Sequence, residues 1–128
     1  MSNENPFNIL NQDKPKSFGQ AAQDENTNLD LNERIQKLID SSDIFIFMKG
    51  TPDFPQCGFS ANTVAIFNHL QKEYKTFDVL SDEMIRQGIK TFSNWPTIPQ
   101  IYLKGKFVGG NDIVTEMFQS GDLQDMLN

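Results

Sequence analysis

An α/β domain, with a four-stranded mixed sheet flanked by helices, is the fold class that the sequence predicts, and three observations predict it. The run Ile44-Phe45-Ile46-Phe47-Met48 is apolar without a break, the pattern of a strand covered on both faces by helices. Segments of helical period alternate with short apolar runs along residues 30–128, as in a βαβ unit. Near the end, two short apolar runs are joined at Gly105, which reads as an antiparallel hairpin.

The elements follow in order. Residues 1–29 are rich in Asn, Gln, Asp and Ser, and their scattered apolar residues (Phe7, Ile9, Leu10, Phe18) keep no period. A segment of that kind buries too little to offset its ordering entropy, so a disordered tail is expected there and a folded domain over 30–128. Asp30 and Glu33 have capping-box spacing, and Leu31, Ile35, Leu38 and Ile39 fall on one helical face. After the strand Ile44–Met48 comes the loop Lys49-Gly50-Thr51-Pro52-Asp53-Phe54-Pro55, then a helix marked by Thr63, Ile66, Phe67 and Leu70. A second strand is expected over 74–79. A helix starting at Ser81 or Asp82 follows, with Ile85, Ile89 and Phe92 inward. Strands over 100–104 and 107–109 make the hairpin. Asn111 or Asp112 is expected to cap a last long helix with Ile113, Val114, Met117 and Phe118 inward, ended by Gly121 before a short terminal turn. The order αβαβαββαα is the plan of a thioredoxin-like domain.

Composition excludes several functions. Acidic residues outnumber basic ones 17 to 11, for a net charge of -6, so the chain has no general attraction for phosphate backbones or anionic membranes, and no nucleic-acid partner is expected. The apolar runs at 44–48 and 98–103 fall far short of the roughly 20 residues that span a bilayer. A soluble protein without a membrane partner is expected. No phosphate-binding loop, catalytic triad or zinc spacing occurs, and His69 is alone on its helix.

Chemistry concentrates at the one cysteine, Cys57, in Gln56-Cys57-Gly58-Phe59-Ser60 at a loop-to-helix junction. Unpaired N–H groups and the positive end of the helix dipole favour a thiolate at such a place. Gly58 leaves room for another group and Ser60 adds a donor. One thiol closes no disulfide within the chain and supplies only one of the four thiolates of an iron-sulfur cluster, so its chemistry needs a second molecule. A lone cysteine fits a reducing compartment, which gives a cytoplasmic location. The mitochondrial matrix is the second choice, because no Arg precedes Arg34 and the N-terminal stretch carries Glu4, Asp13, Asp24 and Glu25.

Four motifs then stand in register: Lys49-Gly50-Thr51-Pro52, Cys57-Gly58-Phe59-Ser60, Trp95-Pro96-Thr97-Ile98-Pro99 and Gly109-Gly110-Asn111-Asp112. In order and spacing, residues 31–128 resemble the monothiol glutaredoxins of the CGFS class. The resemblance implies a glutathione site. Lys49 would pair with one glutathione carboxylate and Arg86 with the glycine carboxylate. Ile98, ahead of a cis-proline at Pro99, would offer its backbone N–H and C=O to the cysteinyl part. Gly110, Asn111 and Asp112 would receive the γ-glutamyl carboxylate at a helix N-terminus, and Phe59 and Thr97 would complete the site. From the residues alone, trans is the default for any X-Pro bond. Many relatives have cysteine where this chain has Asn111, so a disulfide from that position to Cys57 is excluded.

The resemblance also implies function. The first reading is an iron-sulfur carrier: a labile [2Fe-2S] cluster held between two subunits by two copies of Cys57 and two glutathione thiolates. Such a protein is a homodimer with cluster and a monomer without, passes the cluster to apo iron-sulfur proteins, and pairs with BolA-type proteins. The second reading is a glutathione-dependent oxidoreductase that removes glutathione from protein mixed disulfides through Cys57. The longer loop between Lys49 and Cys57, and Gly-Phe-Ser after the cysteine, favour the carrier, since CGFS relatives are generally poor reductants.

Overall fold

The sheet is built around β1 (Ile44–Met48), whose five residues are all buried. β1 pairs in parallel with β2 (Lys75–Asp78) on one side and antiparallel with β3 (Gln100–Leu103) on the other. β4 (Lys106–Gly109) adds antiparallel to β3, giving the order β2-β1-β3-β4. The computed structural model describes residues 25–128, with side chains from Asp30 onward. Residues Arg34–Asn128 form one compact unit, and the described part of the other, Met1–Glu33, is the beginning of α1 (Glu25–Asp40). Of the tail expected over 1–29, residues 1–24 lie outside the described residues.

Local chemistry accounts for most boundaries. α2 (Gly58–His69) begins directly after Cys57, whose backbone is extended at φ -157°. α3 (Glu83–Ser93) is capped by Asp82, whose carboxylate accepts from the N–H groups of Met84 and Ile85 at 3.0 and 3.2 Å. Arg34 donates to the same carboxylate at 3.0 Å, and this bond, with the capping N–H groups, holds Asp82 below the usual carboxylate range. α4 (Asn111–Ser120) and α5 (Asp122–Leu127) meet at Gly121, which takes φ +89°, a left-handed conformation that glycine adopts without a steric penalty.

Alternation along the strands divides the core. Ile44, Ile46, Met48, Ile101 and Leu103 face Val64, Ile66 and Phe67 of α2, Val114 of α4 and Leu123 of α5. Phe45, Phe47 and Tyr102 face the other way and form an aromatic layer, with Phe45 and Phe47 centroids 5.0 Å apart and Phe47 and Tyr102 5.8 Å apart. Ile35 and Ile39 of α1 and Ile85 and Ile89 of α3, all fully buried, cover that face. Burying a phenylalanine or isoleucine of this kind stabilises the fold by about 1.5–3 kcal/mol, so β1 anchors both layers. Among the described residues, no helix is long and apolar enough to cross a membrane.

Four expectations need correction. α1 starts at Glu25, so Asp30 lies inside the helix and does not cap it. The second strand ends at Asp78, because Asp78 accepts from Leu80 N–H at 2.9 Å and folds Val79–Ser81 into a 3-10 turn. The hairpin strands end and restart at Leu103 and Lys106. Lys104 and Gly105 form the turn with φ of +53° and +82°, as two-residue hairpins require. Gly110, not Asn111 or Asp112, is the N-cap of α4, and no side chain caps it.

Candidate functional site

The loop before Cys57 is shaped by its backbone. Gly50 takes φ +90°, and a Cβ there would stand 2.5 Å from the Phe54 carbonyl oxygen and 2.7 Å from Gln56 N. Its N–H donates to Asp78 Oδ1 at 2.9 Å, and Gln56 N–H donates to the Lys49 carbonyl at 2.9 Å. Thr51 and Phe54 exchange backbone bonds of 3.1 and 3.3 Å, which turns the Phe54 ring outward to 74% exposure. Phe59 is 61% exposed. The other described phenylalanines are buried (Phe45, Phe47, Phe67) or half-buried; these two are exposed because a tight loop and a first helical turn leave their side chains nothing to pack against.

Cys57 is partly exposed at the N-cap of α2, and its carbonyl accepts the first helical bond from Ala61 at 2.9 Å. The N–H groups that follow are therefore free to face the sulfur. The Ser60 N–H is the strongest influence that holds the thiol below its usual value; the Phe59 N–H, the Lys49 charge and the Ser60 hydroxyl act in the same sense, and partial burial opposes them. Ser60 itself is buried, with its hydroxyl oxygen accepting from Lys49 N–H at 3.1 Å.

A cleft of about 460 Å³ opens beside the sulfur. Lys49, Cys57 and Phe59 form one side, the segment from Trp95 to Pro99 another, and Gly110, Asn111 and Asp112 a third. The Ile98-Pro99 bond is cis. The Ile98 N–H and C=O enter no backbone bond outside the regular elements among the described residues. Gln100, fully buried, donates to the carbonyls of Trp95 and Thr97 at 3.0 and 3.3 Å and so fixes this segment from below. A Cβ on Gly110 would lie 3.3 Å from the Pro99 carbonyl and 3.4 Å from Trp95 Nε1, so glycine keeps that wall thin.

Every residue expected at the site lines this cleft except Arg86. The Arg86 guanidinium lies 3.7 Å from Glu83, and its Nε is buried without an acceptor among the described residues. Lys90 lines the cleft instead. Sequence reasoning missed it, although it lies one helical turn beyond Arg86 on α3. Gln100 was also missed as a support; a glutamine at the start of an otherwise apolar strand was the available signal. His69 packs edge-on against Phe118 with centroids 5.6 Å apart, and no group of metal-ligating side chains exists among the described residues.

The fold and site define a thioredoxin-like domain with one activated thiol beside a cleft of mixed charge. The glutaredoxin family model matches residues 44–108. An uncharacterized monothiol glutaredoxin of Synechocystis is 54% identical over 100 residues, covering 78% of this chain and 94% of that protein. Monothiol glutaredoxin-4 of Schizosaccharomyces pombe is 49% identical over 98 residues, covering 77% of this chain but 40% of its own length. The solution structure of a monomeric truncated mutant of Trypanosoma brucei 1-C-Grx1 superposes with a TM-score of 0.70 at 45% identity, over 75% of this chain and 87% of that one. The chain belongs to the glutaredoxin family, within its monothiol branch.

Proposed function

We propose that this glutaredoxin binds glutathione in the Cys57 cleft and, as a glutathione-loaded pair of chains, carries a labile [2Fe-2S] cluster to apo iron-sulfur proteins. The observation that carries the glutathione reading is the charge of the cleft: two ammonium groups, Lys49 and Lys90, and one carboxylate, Asp112. Glutathione has the complementary set, two carboxylates and one ammonium. The free Ile98 backbone groups suit an extended peptide, and the N-terminus of α4 suits a carboxylate.

The cluster is cargo. Among the described residues the chain offers one thiolate and no other group of ligands, so three further ligands must come from outside to complete the usual four. Two chains and two glutathione thiolates meet that count, and Cys57 is exposed enough to be shared. Because glutathione exchanges freely, the cluster is transferable. An apo-monomer, a cluster-bound homodimer and mixed complexes with BolA-type proteins belong to this reading, as does a reducing compartment such as the cytoplasm.

A second reading rests on the lowered Cys57 thiol. The thiolate attacks the glutathione sulfur of a protein mixed disulfide, forming Cys57–S–S–glutathione and releasing the protein thiolate. A second glutathione thiolate then attacks that bond, regenerating Cys57 and leaving oxidised glutathione.

Anaerobic reconstitution with iron and sulfide, with and without glutathione, separates the two. Visible absorption that develops only with glutathione and is lost in Cys57→Ser supports the carrier. Colourless protein that still reduces a glutathionylated peptide supports the oxidoreductase.

A further inference from the structure

Asn111 stands where the cleft meets the contact between α2 and α4, and its side-chain oxygen is a hub. Asn62 of α2 donates to Asn111 Oδ1 at 2.8 Å and, through its other amide proton, to Thr115 Oγ1 at 3.0 Å. Thr63, fully buried, shares its hydroxyl proton between Asn111 Oδ1 at 3.1 Å and the Phe59 carbonyl oxygen at 3.0 Å. That carbonyl belongs to the peptide unit whose N–H is Ser60, the group that faces the Cys57 sulfur. One peptide is thus held at its oxygen by Thr63 and presented to the sulfur at its N–H. Asn111 closes the connection to α4, whose N-terminal N–H groups line the far side of the cleft.

We propose that Asn111, acting through Thr63 and Asn62, is a positioning residue that fixes the N-termini of α2 and α4 relative to each other, and so sets the fit of a ligand that must reach both Cys57 and α4. Its effect on affinity rests on the reading of the cleft as a glutathione site; its effect on the helix start does not. A cysteine or serine at this position carries no amide oxygen to accept from Asn62 and Thr63 together, so the network depends on asparagine. Asn111 and Phe59 share the one Thr63 proton, so the two bonds are coupled, and the Thr63 and Asn111 contributions should therefore be non-additive.

The test is amide NMR of the free protein followed by glutathione titration, on wild type, Asn111→Ala, Thr63→Val, the double variant and Thr63→Ser. Asn111→Ala and Thr63→Val should each shift the Phe59 and Ser60 amide signals and speed their exchange. Thr63→Ser, which keeps the hydroxyl, should restore the wild-type pattern. Glutathione affinity should fall about fivefold in each single variant, the scale of one lost hydrogen bond, with no further fall in the double. Unmoved Phe59 and Ser60 signals, or additive losses of affinity, overturn the proposal. If the amides respond but wild type binds no glutathione, the clamp stands and the glutathione reading falls.

Discussion

The backbone N–H of Lys49 donates to the Ser60 hydroxyl oxygen across 3.1 Å, tying the residue after β1 to the first turn of α2 over the Cys57 loop. The bond uses the oxygen of Ser60 as acceptor and leaves its proton to the Cys57 sulfur, in line with the lowered thiol. A serine at this place therefore serves stability and reactivity together, because it is buried between the two groups it joins.

Ser60→Ala should test both roles. It leaves the Lys49 N–H without its acceptor in a part-buried setting, a loss of about 1–3 kcal/mol measurable by denaturant unfolding. It should also slow alkylation of Cys57 by iodoacetamide at neutral pH. An unchanged midpoint would show that water replaces the hydroxyl.

The lowered thiol has a signed consequence for stability. The folded protein releases the Cys57 proton at lower pH than an unfolded chain, whose thiol keeps its ordinary value. The unfolded state thus binds more protons between those values, so the contribution is fully present above the unfolded value and is lost as pH falls through the folded one. Unfolding free energy measured across that window should rise with pH in wild type and rise less in Cys57→Ser. Equal slopes would contradict the assigned direction.

Two glycines should behave differently on substitution by alanine. At Gly50, positive φ and a 2.5 Å clash with backbone predict a loss of about 1–3 kcal/mol and a disturbed Cys57 loop. At Gly110, φ is -99° and the added Cβ meets its neighbours at 3.3 and 3.4 Å. Gly110→Ala should therefore move the melting temperature little while weakening glutathione binding measured by calorimetry.

The cations of the cleft give a ranking. Lys49→Ala and Lys90→Ala should each weaken glutathione binding about twofold to fivefold, the scale of an exposed or partly exposed charge pair. Arg86→Ala should weaken it less, because Arg86 does not line the cleft. A larger effect at Arg86 than at Lys90 would show that the side chain swings in when ligand binds.

The sequence made β1, the βαβ unit, the hairpin and the Cys57 junction legible, because unbroken apolar runs and period are local signals. The start of α3 was legible only as Ser81 or Asp82, and the structure makes Asp82 the cap. The N-cap of α4 was not, since Gly110 caps through its backbone and has no side chain to signal the role. The start of α1 was missed because polar residues extend the helix beyond its apolar face. At the site, Lys49, Cys57 and the segment ending at Pro99 were found through motifs. Lys90 and the Asn62 contact to Asn111 were not, because each depends on which residues of distant elements meet, as Asn62 and Asn111 do across 49 positions; Gln100 was not, because its bonds to Trp95 and Thr97 follow the path of an irregular loop that no apolar period signals.

The most direct measurement is native mass spectrometry of the anaerobically reconstituted protein, counting chains, iron, sulfide and glutathione in one species. The expected species is a dimer with one [2Fe-2S] cluster and two glutathiones, the count set by one thiol per chain and four thiolate ligands, and an apo-monomer when glutathione is left out. A monomer that holds glutathione but no iron under the same conditions would contradict the carrier reading.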